Sequence, residues 1–477
     1  MVSMQMSDER DDIAQDEELF FDSVDGVQST TIIADEELLE DIDDLVQSRS
    51  SAALLNILTD LHPADIATIL NELHEEEARY LFELLAPETA SEVLLELNEH
   101  VREDLLEELG AKRLTEIVEE LDSDDAVDIV AEMDEDVAEQ VLEKLEPGES
   151  AELRELLAYD EDTAGGLMAT EFPTVLHTGS VEDAIEAVRR TAEETPDIYE
   201  VYAVDEDGTL RGVVDLKNLL LVNPHTLIAE IMDSEVISVR TDVDQEDVAN
   251  VMRKYDLLTL PVVTGENVPV GLITFDDIAD VIHEEAQEDI QRMSGIIDDS
   301  DTSSSVFDIF RGRLPWLLVG FAGELLAALV LSSFEEELGK VLAAAFFIPI
   351  IMAMGGNAGI QASSIVVRGL ATGELALSRT FRRLGRELLA ALLNGSICSA
   401  LLFGIVFYWM GDAQFGLTVG LSLLVVIINA TLVGATVPLF LDRMNIDPAL
   451  ATGPFITTSN DALGLFIYFG FLTIIYI

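Results

Sequence analysis

Five long apolar segments near the end of the chain constrain its fold most strongly. They are roughly residues 314–334, 341–367, 387–410, 415–441 and 448–477. Each has at least about twenty residues, the length that an α-helix needs to cross the hydrocarbon core of a bilayer. The sequence therefore predicts a membrane domain, residues 313–477, with five transmembrane helices.

The net charge of the chain is −68, and almost all of the acidic excess precedes these segments. Residues 315–477 carry 10 acids and 7 bases, and only five residues of the whole chain are lysines. A carboxylate-rich surface with few lysines suits a salt-rich cytoplasm, because high ionic strength screens self-repulsion. We interpret the excess mainly as a halophilic surface. The same acidity argues against a nucleic-acid partner, which requires a basic surface.

Arginines mark one side of the predicted membrane. Two precede the first apolar segment and five lie between the second and the third, whereas the loops at 335–340 and 411–414 are short and mostly acidic. The positive-inside rule then predicts a multi-pass protein of the cell membrane, with cytoplasmic N-terminal domains and an extracytoplasmic C-terminus. The arginines are Arg311, Arg313, Arg368, Arg379, Arg382, Arg383 and Arg386.

A twelve-residue repeat runs through the acidic region. Each unit has room for two or three helical turns with one apolar face, and such short helices bury that face only by stacking. For residues 46–160 we predict a superhelix of short helices, with an ordinary helical bundle as the alternative. For residues 1–45 we predict an acidic mobile tail. The repeat positions are Leu61, Leu73, Leu85, Leu97, Leu109, Leu121, Met133 and Leu145.

Residues 167–284 contain two copies of one pattern, 167–228 and 229–284. Each copy predicts a strand, a helix, two strands joined by a tight turn, and a second helix. This order resembles a tandem pair of CBS domains, a module that senses small molecules or ions. Residues 285–312 predict a polar helix that connects the pair to the membrane. The predicted fold class is therefore multidomain, with an α domain, an α/β domain and an α-helical membrane domain.

A carboxylate, Asp461, lies near the middle of the last apolar segment. A charge at that depth costs about 3 kcal/mol on insertion scales and normally faces a water-filled path or a cation. Since Mg²⁺ keeps most of its waters, one Asp461 from each of two chains at a two-fold axis would suffice for one hydrated ion. Thr457, Thr458 and Asn460 would hydrogen-bond to its water shell. The alternative is an acid paired with an arginine at a helix interface.

Two further features of the apolar segments are candidates for the same path. Gly355, Gly356 and Asn357 belong to a run of small residues. Such a run either breaks the helix, so that freed carbonyl groups line a pore, or allows close helix packing. Glu324 lies inside the first segment and faces either the path or a partner helix.

Acids also cluster outside the membrane. Spacings of three and four residues place four acids on one face of the helix that leads from the second repeat copy into the connector. Like charges on one face repel unless a cation lies between them, so the cluster is either a metal site or part of a salt-adapted surface. The four are Asp277, Asp280, Glu284 and Glu288, and the repeat region offers Asp124, Asp125 and Asp128 as matching acids.

The pair of Asp447 and Pro448 precedes the last apolar segment. An aspartate followed by a proline is a favoured helix start, with the aspartate as N-cap and the proline at the first helical position. A carboxylate at this place would also meet the connecting helix across a bound cation. The two roles are compatible.

The order of these parts resembles the MgtE family of magnesium channels over nearly the whole chain. The stretches RLPWLL at 313–318, MGGNAGIQ at 354–361 and DPALATGPFITTSND at 447–461 look like signatures of that family. The resemblance implies a homodimer in the lipid bilayer with a pore on its two-fold axis, Asp461 as the acid that recognises hydrated Mg²⁺, and Asp447 at the cytoplasmic mouth. It also implies acids where intracellular Mg²⁺ bridges the CBS pair, the connector and the pore. These are Asp277, Asp280, Glu285, Glu288 and Asp289.

The resemblance therefore predicts an Mg²⁺-selective channel that imports magnesium. Intracellular Mg²⁺ would draw the acidic faces together, and the connecting helix would then plug the pore. A secondary transporter of Co²⁺ or Mn²⁺, and a CBS-based membrane sensor that signals to a protein partner, stay open as alternatives. No enzyme is predicted, because neither a Walker loop nor a GxSxG motif occurs.

Members of the family bind ATP between the CBS copies. The second copy retains the ribose-binding pattern as Gly271, Thr274 and Asp277. The first copy departs from it, with Asp215 and Asn218 after Gly212. At most one ATP site is therefore expected, with Thr274 and Asp277 as the ribose contacts.

Overall fold

The computed structural model describes residues 42, 45–46, 48–59, 61–192, 195, 198–294, 306–371, 380–444, 446–451 and 453–477. They form two compact units. The first extends to Val236 and includes Val262–Leu272, and the second comprises Ile237–Pro261 and Ile273–Ile477. The predicted acidic tail lies almost entirely outside the described residues, as do residues 295–305 of the predicted connector.

Short helices build the repeat region, as predicted. Three of them carry proline at the first helical position, where the missing N–H has no intrahelical partner to lose. The repeat positions fall at the helix ends, and most of them, such as Leu97, Leu109 and Met133, are buried. Alternate helices stack on one another, which covers the apolar faces. The described helices are α1 (Ser51–Leu58), α2 (Pro63–Glu72), α3 (Glu75–Phe82), α4 (Pro87–Leu95), α5 (Glu99–Glu108), α6 (Ala111–Val118), α7 (Ser123–Glu132), α8 (Glu135–Leu142) and α9 (Pro147–Leu156).

The first CBS copy forms a three-stranded sheet in the order β1-β2-β3. Strand β1 pairs with β2 in parallel, and β2 pairs with β3 in antiparallel orientation. A capping box starts the helix after β1, because Ser180 and Asp183 each accept a hydrogen bond from the other's backbone N–H. The elements are β1 (Thr174–Leu176), α10 (Val181–Thr191), β2 (Glu200–Val204), β3 (Leu210–Asp215), α11 (Leu216–Leu221) and α12 (Ile228–Ile231).

The second CBS copy repeats this order, with a sheet β4-β5-β6. Its tight turn uses Asn267 at φ +61°, where the first copy uses Gly208 at φ +80°, and both residue types tolerate the left-handed region. One helix, α14, then serves both this copy and the connector. The elements are β4 (Val239–Arg240), α13 (Gln245–Tyr255), β5 (Thr259–Val263), β6 (Pro269–Thr274) and α14 (Phe275–Ser294).

Among the residues that the structure describes, the membrane domain contains five helices that are long and apolar enough to cross a bilayer, which agrees with the predicted number. Helix α19 packs against α17, α18 and α20. The spans are Ile309–Ser333, Leu342–Ala371, Arg382–Met410, Ala413–Asp442 and Pro448–Tyr476. The helices are α15 (Val306–Ser333), α16 (Glu335–Lys340), α17 (Ile348–Ala371), α18 (Thr380–Met410), α19 (Ala413–Asp442) and α20 (Pro454–Phe471), with 3₁₀ turns at Leu342–Phe347 and Pro448–Ala451 and a final turn at Leu472–Tyr476.

The glycines of α17 serve helix packing and not a helix break. The helix runs unbroken through Gly355 and Gly356, so of the two alternatives the structure confirms close packing, and the alternative of a helix break with freed carbonyl groups is wrong. A Cβ atom on Gly355 would lie 3.0 Å from Val426 Cγ1. One on Gly434 of α19 would overlap the carbonyl oxygen of Gly359. Small residues thus let α17 and α19 approach backbone to backbone.

We expect Gly434→Ala to destabilise the membrane domain. The added methyl group meets a backbone carbonyl that cannot rotate away, and overpacking of this kind costs about 1–3 kcal/mol. Thermal unfolding of the purified full chain in detergent measures the effect. Gly404→Ala is the matched control, since a Cβ atom at that position in α18 meets nothing within 4 Å. Equal melting temperatures for the two variants would contradict the packing argument.

Candidate cation sites

Asp461 and its neighbour Asn460 are buried within a single protomer. They follow each other on α20, where Asn460 is 2% exposed and Asp461 6% exposed. The described residues show no arginine at Asp461. A second acid, Glu324 of α15, lies within interaction distance of its carboxyl group. Within the described residues, Asp461 thus meets an acid and not the arginine of the alternative.

Close packing of two helices brings Glu324 to Asp461. A Cβ atom on Gly323 would overlap the side chain of Thr458, so only glycine lets α15 approach α20 here. Thr458 and Asp461 are three residues apart and share a face of α20. Glu324 follows Gly323 and reaches Asp461 across this contact. Two neighbouring carboxyl groups repel each other when both are ionised, unless a proton or a cation lies between them.

The side-chain amide of Asn460, the residue before Asp461, is a second buried polar group of α20, and it lies against Gly359 of α17. Neither its Nδ2 nor its Oδ1 atom has a hydrogen-bond partner in the described part of the chain. Leaving a buried polar group without a partner costs about 1–3 kcal/mol. Two carboxyl groups and an amide oxygen are the hard ligands that Mg²⁺ prefers, either directly or through its waters. A hydrated cation bound near these groups would therefore offset the free-energy cost of burying them.

The other predicted pore residues lie on α20 and α17. The hydroxyl groups of Thr457 and Thr458 donate to the carbonyl oxygens of Gly453 and Phe455, at 3.4 and 3.3 Å. Their oxygens keep lone pairs that can accept hydrogen bonds from water. The remaining three lie on α17, where Gly355 and Gly356 are buried and Asn357 is exposed. Whether these residues line a pore stays a prediction.

A second acidic cluster lies where α13 packs against α14. Glu285 and Asp289 of α14 line one cleft of about 600 Å³ with Glu246 of α13. Burial, followed by the charges of Glu285 and Asp289, raises the pKa of Glu246 to about 7. Burial, followed by Asp447 and Glu285, raises the pKa of Asp289 to about 6. These carboxylates therefore repel one another when ionised. Arg253 and Arg368 also line the cleft and offset part of the repulsion, and a divalent cation between the acids would relieve the rest.

Arg292 joins two predicted metal ligands. Its Nη1 donates to Asp447 Oδ2 at 2.7 Å, and its Nη2 forms an ion pair with Glu288 one turn earlier on α14. Asp447 was predicted to meet the connecting helix across a bound metal ion, whereas here a guanidinium makes this contact. The other carboxylate oxygen of Asp447 accepts a hydrogen bond from Ala449 N at 2.7 Å, which confirms its capping role at Pro448–Ala451.

The remaining predicted acids have other surroundings. Thr274 Oγ1 donates to Asp277 Oδ2 at 2.6 Å, so the two predicted ribose contacts are bonded to each other at the start of α14. Asp280 and Glu284 are exposed on α14. Of the acids predicted on α14, Glu285 and Asp289 line the cleft with α13. Asp124, Asp125 and Asp128 lie on α7 in the first unit.

Three protein-family models match the chain. The MgtE intracellular N domain matches residues 61–162, and the CBS domain matches residues 164–224 and 228–284. The third model, MgtE, described as a divalent cation transporter, matches residues 348–471. The last match contains Asp447, Asn460 and Asp461.

Relatives match over much of the chain. The magnesium transporter MgtE of Thermus thermophilus is 40% identical over 326 residues, which are 68% of this chain and 72% of the relative. The protein of the same name from Bacillus subtilis is 35% identical over 328 residues, or 69% of this chain and 73% of the relative. A solved structure of the cytosolic domain of the Mg²⁺ channel MgtE in complex with ATP is 38% identical, covers 51% of this chain and 100% of that chain, and has a TM-score of 0.49.

Five membrane helices, a CBS pair and a domain of stacked helices define an integral membrane protein with a large region outside the membrane-spanning segments. The acids buried in its membrane domain are of the kind found along ion paths. With the relatives and the three models, this architecture shows that the chain belongs to the MgtE family of divalent cation transporters.

Proposed function

We propose that the protein is an Mg²⁺-selective channel of the cell membrane that imports magnesium and is closed by intracellular Mg²⁺. The observation that carries the proposal is the pair of acids Asp461 and Glu324 inside the membrane domain, with the buried Asn460 next to Asp461 on α20. Few oxygen ligands suit a passing ion that keeps most of its waters, because a full protein cage would hold it too tightly. The magnesium transporter relatives support Mg²⁺ as the ion.

The channel is a homodimer in the lipid bilayer, with the pore on the two-fold axis. Each protomer then contributes one Asp461 and one Glu324, so up to four carboxyl groups surround one hydrated ion. Thr457, Thr458, Gly355, Gly356 and Asn357 are the further lining groups of this proposal.

The arginine distribution supports the orientation of the channel. Arg311 lies at the start of the first span. Three arginines lie at the start of the third span: Arg382, Arg383 and Arg386. The positive-inside rule places this side in the cytoplasm, together with the repeat region and the CBS pair. The C-terminus after the fifth span is then extracytoplasmic.

Cytosolic Mg²⁺ closes the channel by bridging carboxylates on the connecting helix. The structure supports Glu246 as a ligand in addition to Glu285 and Asp289, because all three line one cleft. Closure requires that Mg²⁺ binds more tightly to the closed state, since equal affinity shifts no population. Further ligands in this proposal are Asp124, Asp125, Asp128, Asp277, Asp280, Glu284, Glu288 and Asp447.

Two modulating influences belong to the same proposal. A salt-rich cytoplasm screens the repulsion among the acids, so Mg²⁺ control is weaker than a net charge of −68 suggests. ATP would contact Thr274 and Asp277 of the second CBS copy, where each side chain is oriented by the other.

Single-channel recording of the purified full chain in planar bilayers tests this function. We expect unitary currents carried by Mg²⁺, and an open probability that falls when Mg²⁺ is raised on the side of the soluble domains. KCl of equal ionic strength on that side is the control for screening. Mg²⁺ flux without unitary currents would indicate a secondary transporter, and the absence of any flux would favour a sensor. Either result would reject the channel.

A further inference from the structure

We propose that the repeat region carries a binding site for a divalent transition-metal ion of the Zn²⁺ or Co²⁺ type, formed by Glu75, His100 and Asp104. The site lies entirely within the first unit, between α3 and α5. It is separate from the magnesium sites of the proposed function and does not depend on them.

The three side chains converge on one point. Their potential ligand atoms, one from each residue, all lie within 4.8 Å of one another. His100 Nε2 is 3.7 Å from Asp104 Oδ2, because residues four apart lie on the same face of α5. Glu75 is the first residue of α3 and supplies the third ligand from the facing helix.

Contacts around the site hold the two helices in place. One turn beyond Glu75 and one turn beyond Asp104, Arg79 of α3 and Glu108 of α5 form an ion pair. The backbone N–H of Asn98, just before α5, donates to Asn71 Oδ1 at 3.0 Å. The three ligands line a cleft of about 340 Å³ between these contacts. The framework is thus fixed, while the side chains that would bind the metal are free to rotate.

The ligand types select the metal. An imidazole nitrogen with two carboxylates suits Zn²⁺ and its neighbours, whereas Mg²⁺ takes oxygen ligands almost exclusively. Zn²⁺ binds such nitrogen and oxygen atoms at about 2.0–2.2 Å, so the ligand atoms must approach each other by about 1 Å. The side chains of His100 and Asp104 are 54% and 37% exposed, which leaves room for that movement. Water would complete a four-coordinate site.

The sequence gives only a partial signal for this site. His74 opens the stretch HEEEA, and the absence of a second histidine four residues later excludes the zinc-protease motif. The fold supplies the histidine from another helix instead, and it uses Glu75 in place of His74. A metal at this point would cross-link α3 to α5 and stabilise the stack of short helices.

Co²⁺ titration of the full chain in detergent, with Mg²⁺ in large excess to occupy the all-oxygen sites, tests the proposal. We expect a saturable visible absorption band from one bound Co²⁺, and a rise in melting temperature when Zn²⁺ is added. His100→Asn should lower the affinity for the metal by at least about tenfold, since loss of a residue that only supports a metal ligand already has an effect of that size. Both responses should then require a correspondingly higher metal concentration. Asp104→Asn should act in the same direction.

His62→Asn is the matched control. It also replaces an imidazole by an amide in the repeat region, and asparagine can keep the capping contact that His62 makes with Ala64 N. Its metal response should equal that of the wild type. A wild type without saturable Co²⁺ absorption, or His100→Asn with unchanged affinity, would overturn the site. Melting without metal checks the fold of each variant, and Asp104→Asn decides the question if His100→Asn is unstable.

Discussion

Asp461→Asn is expected to lower Mg²⁺ flux into proteoliposomes by about ten- to a hundredfold. The substitution keeps the size and polarity of the side chain but removes the charge. An interaction with a charged group is worth about 1.5–3 kcal/mol, and 1.4 kcal/mol corresponds to a factor of ten. Because the ion must pass Asp461 in the proposed pore, the lost attraction raises the barrier to passage. Flux is measured with a Mg²⁺-sensitive dye enclosed in the vesicles.

Asp412→Asn is the control for this variant. Asp412 caps α19 and accepts a hydrogen bond from Tyr476 at 2.7 Å, outside the Asp461 group. Asparagine is an equally good N-cap, so flux should remain within about twofold of the wild type. If Asp461→Asn folds normally and transports Mg²⁺ as fast as the wild type, Asp461 is not the pore acid.

The architecture could be predicted from the sequence because each part has its own periodicity. Each pattern can be recognised within a few tens of residues of sequence. The patterns are the apolar segments longer than twenty residues, the leucines at every twelfth position and the duplicated strand–helix order. The helix break at Gly355 and Gly356 was the exception. Two adjacent glycines are compatible with both a break and a close contact, and only the neighbouring Val426 decides between them.

The cation sites depend on contacts between distant residues, which no local pattern encodes. Asp461 stands out because a charge is rare inside an apolar segment, but its partner Glu324 is identified only by the fit of Gly323 against Thr458. Glu246 was missed because acids in the first turn of a helix are common and favourable. Its position opposite Glu285 and Asp289 is visible only once α13 has packed on α14.

Arg292 was missed although the sequence contains a signal for it. It is the only arginine or lysine among the residues of α14, and it follows Glu288 by four positions, the spacing of a helical ion pair. Its contact with Asp447 joins the connecting helix to the start of the fifth span. In the proposed channel, the guanidinium group of Arg292 would therefore hold the connecting helix at Asp447 even when Mg²⁺ is scarce.

Arg292→Gln should therefore increase the open probability of the channel at low Mg²⁺ and raise the Mg²⁺ concentration that closes it. Without the guanidinium, Glu288, Asp289 and Asp447 repel one another, so the docked helix loses stability. The Arg292 and Asp447 side chains are 35% and 26% exposed, so solvent screens the pair, and we expect it to contribute about 1 kcal/mol, a roughly fivefold shift of the equilibrium. Single-channel recording across a Mg²⁺ titration measures the shift.

A double-mutant cycle separates this ion pair from a direct metal role of Asp447. Asp447→Asn removes the charge but can keep the capping contact with Ala449 N, and it should shift gating in the same direction as Arg292→Gln. If the two residues act through their contact, the double variant shifts gating by less than the two single shifts together. Arg240→Gln, which breaks an exposed pair with Asp242, should leave gating unchanged. Fully additive effects would show that Arg292 does not hold the connecting helix through Asp447.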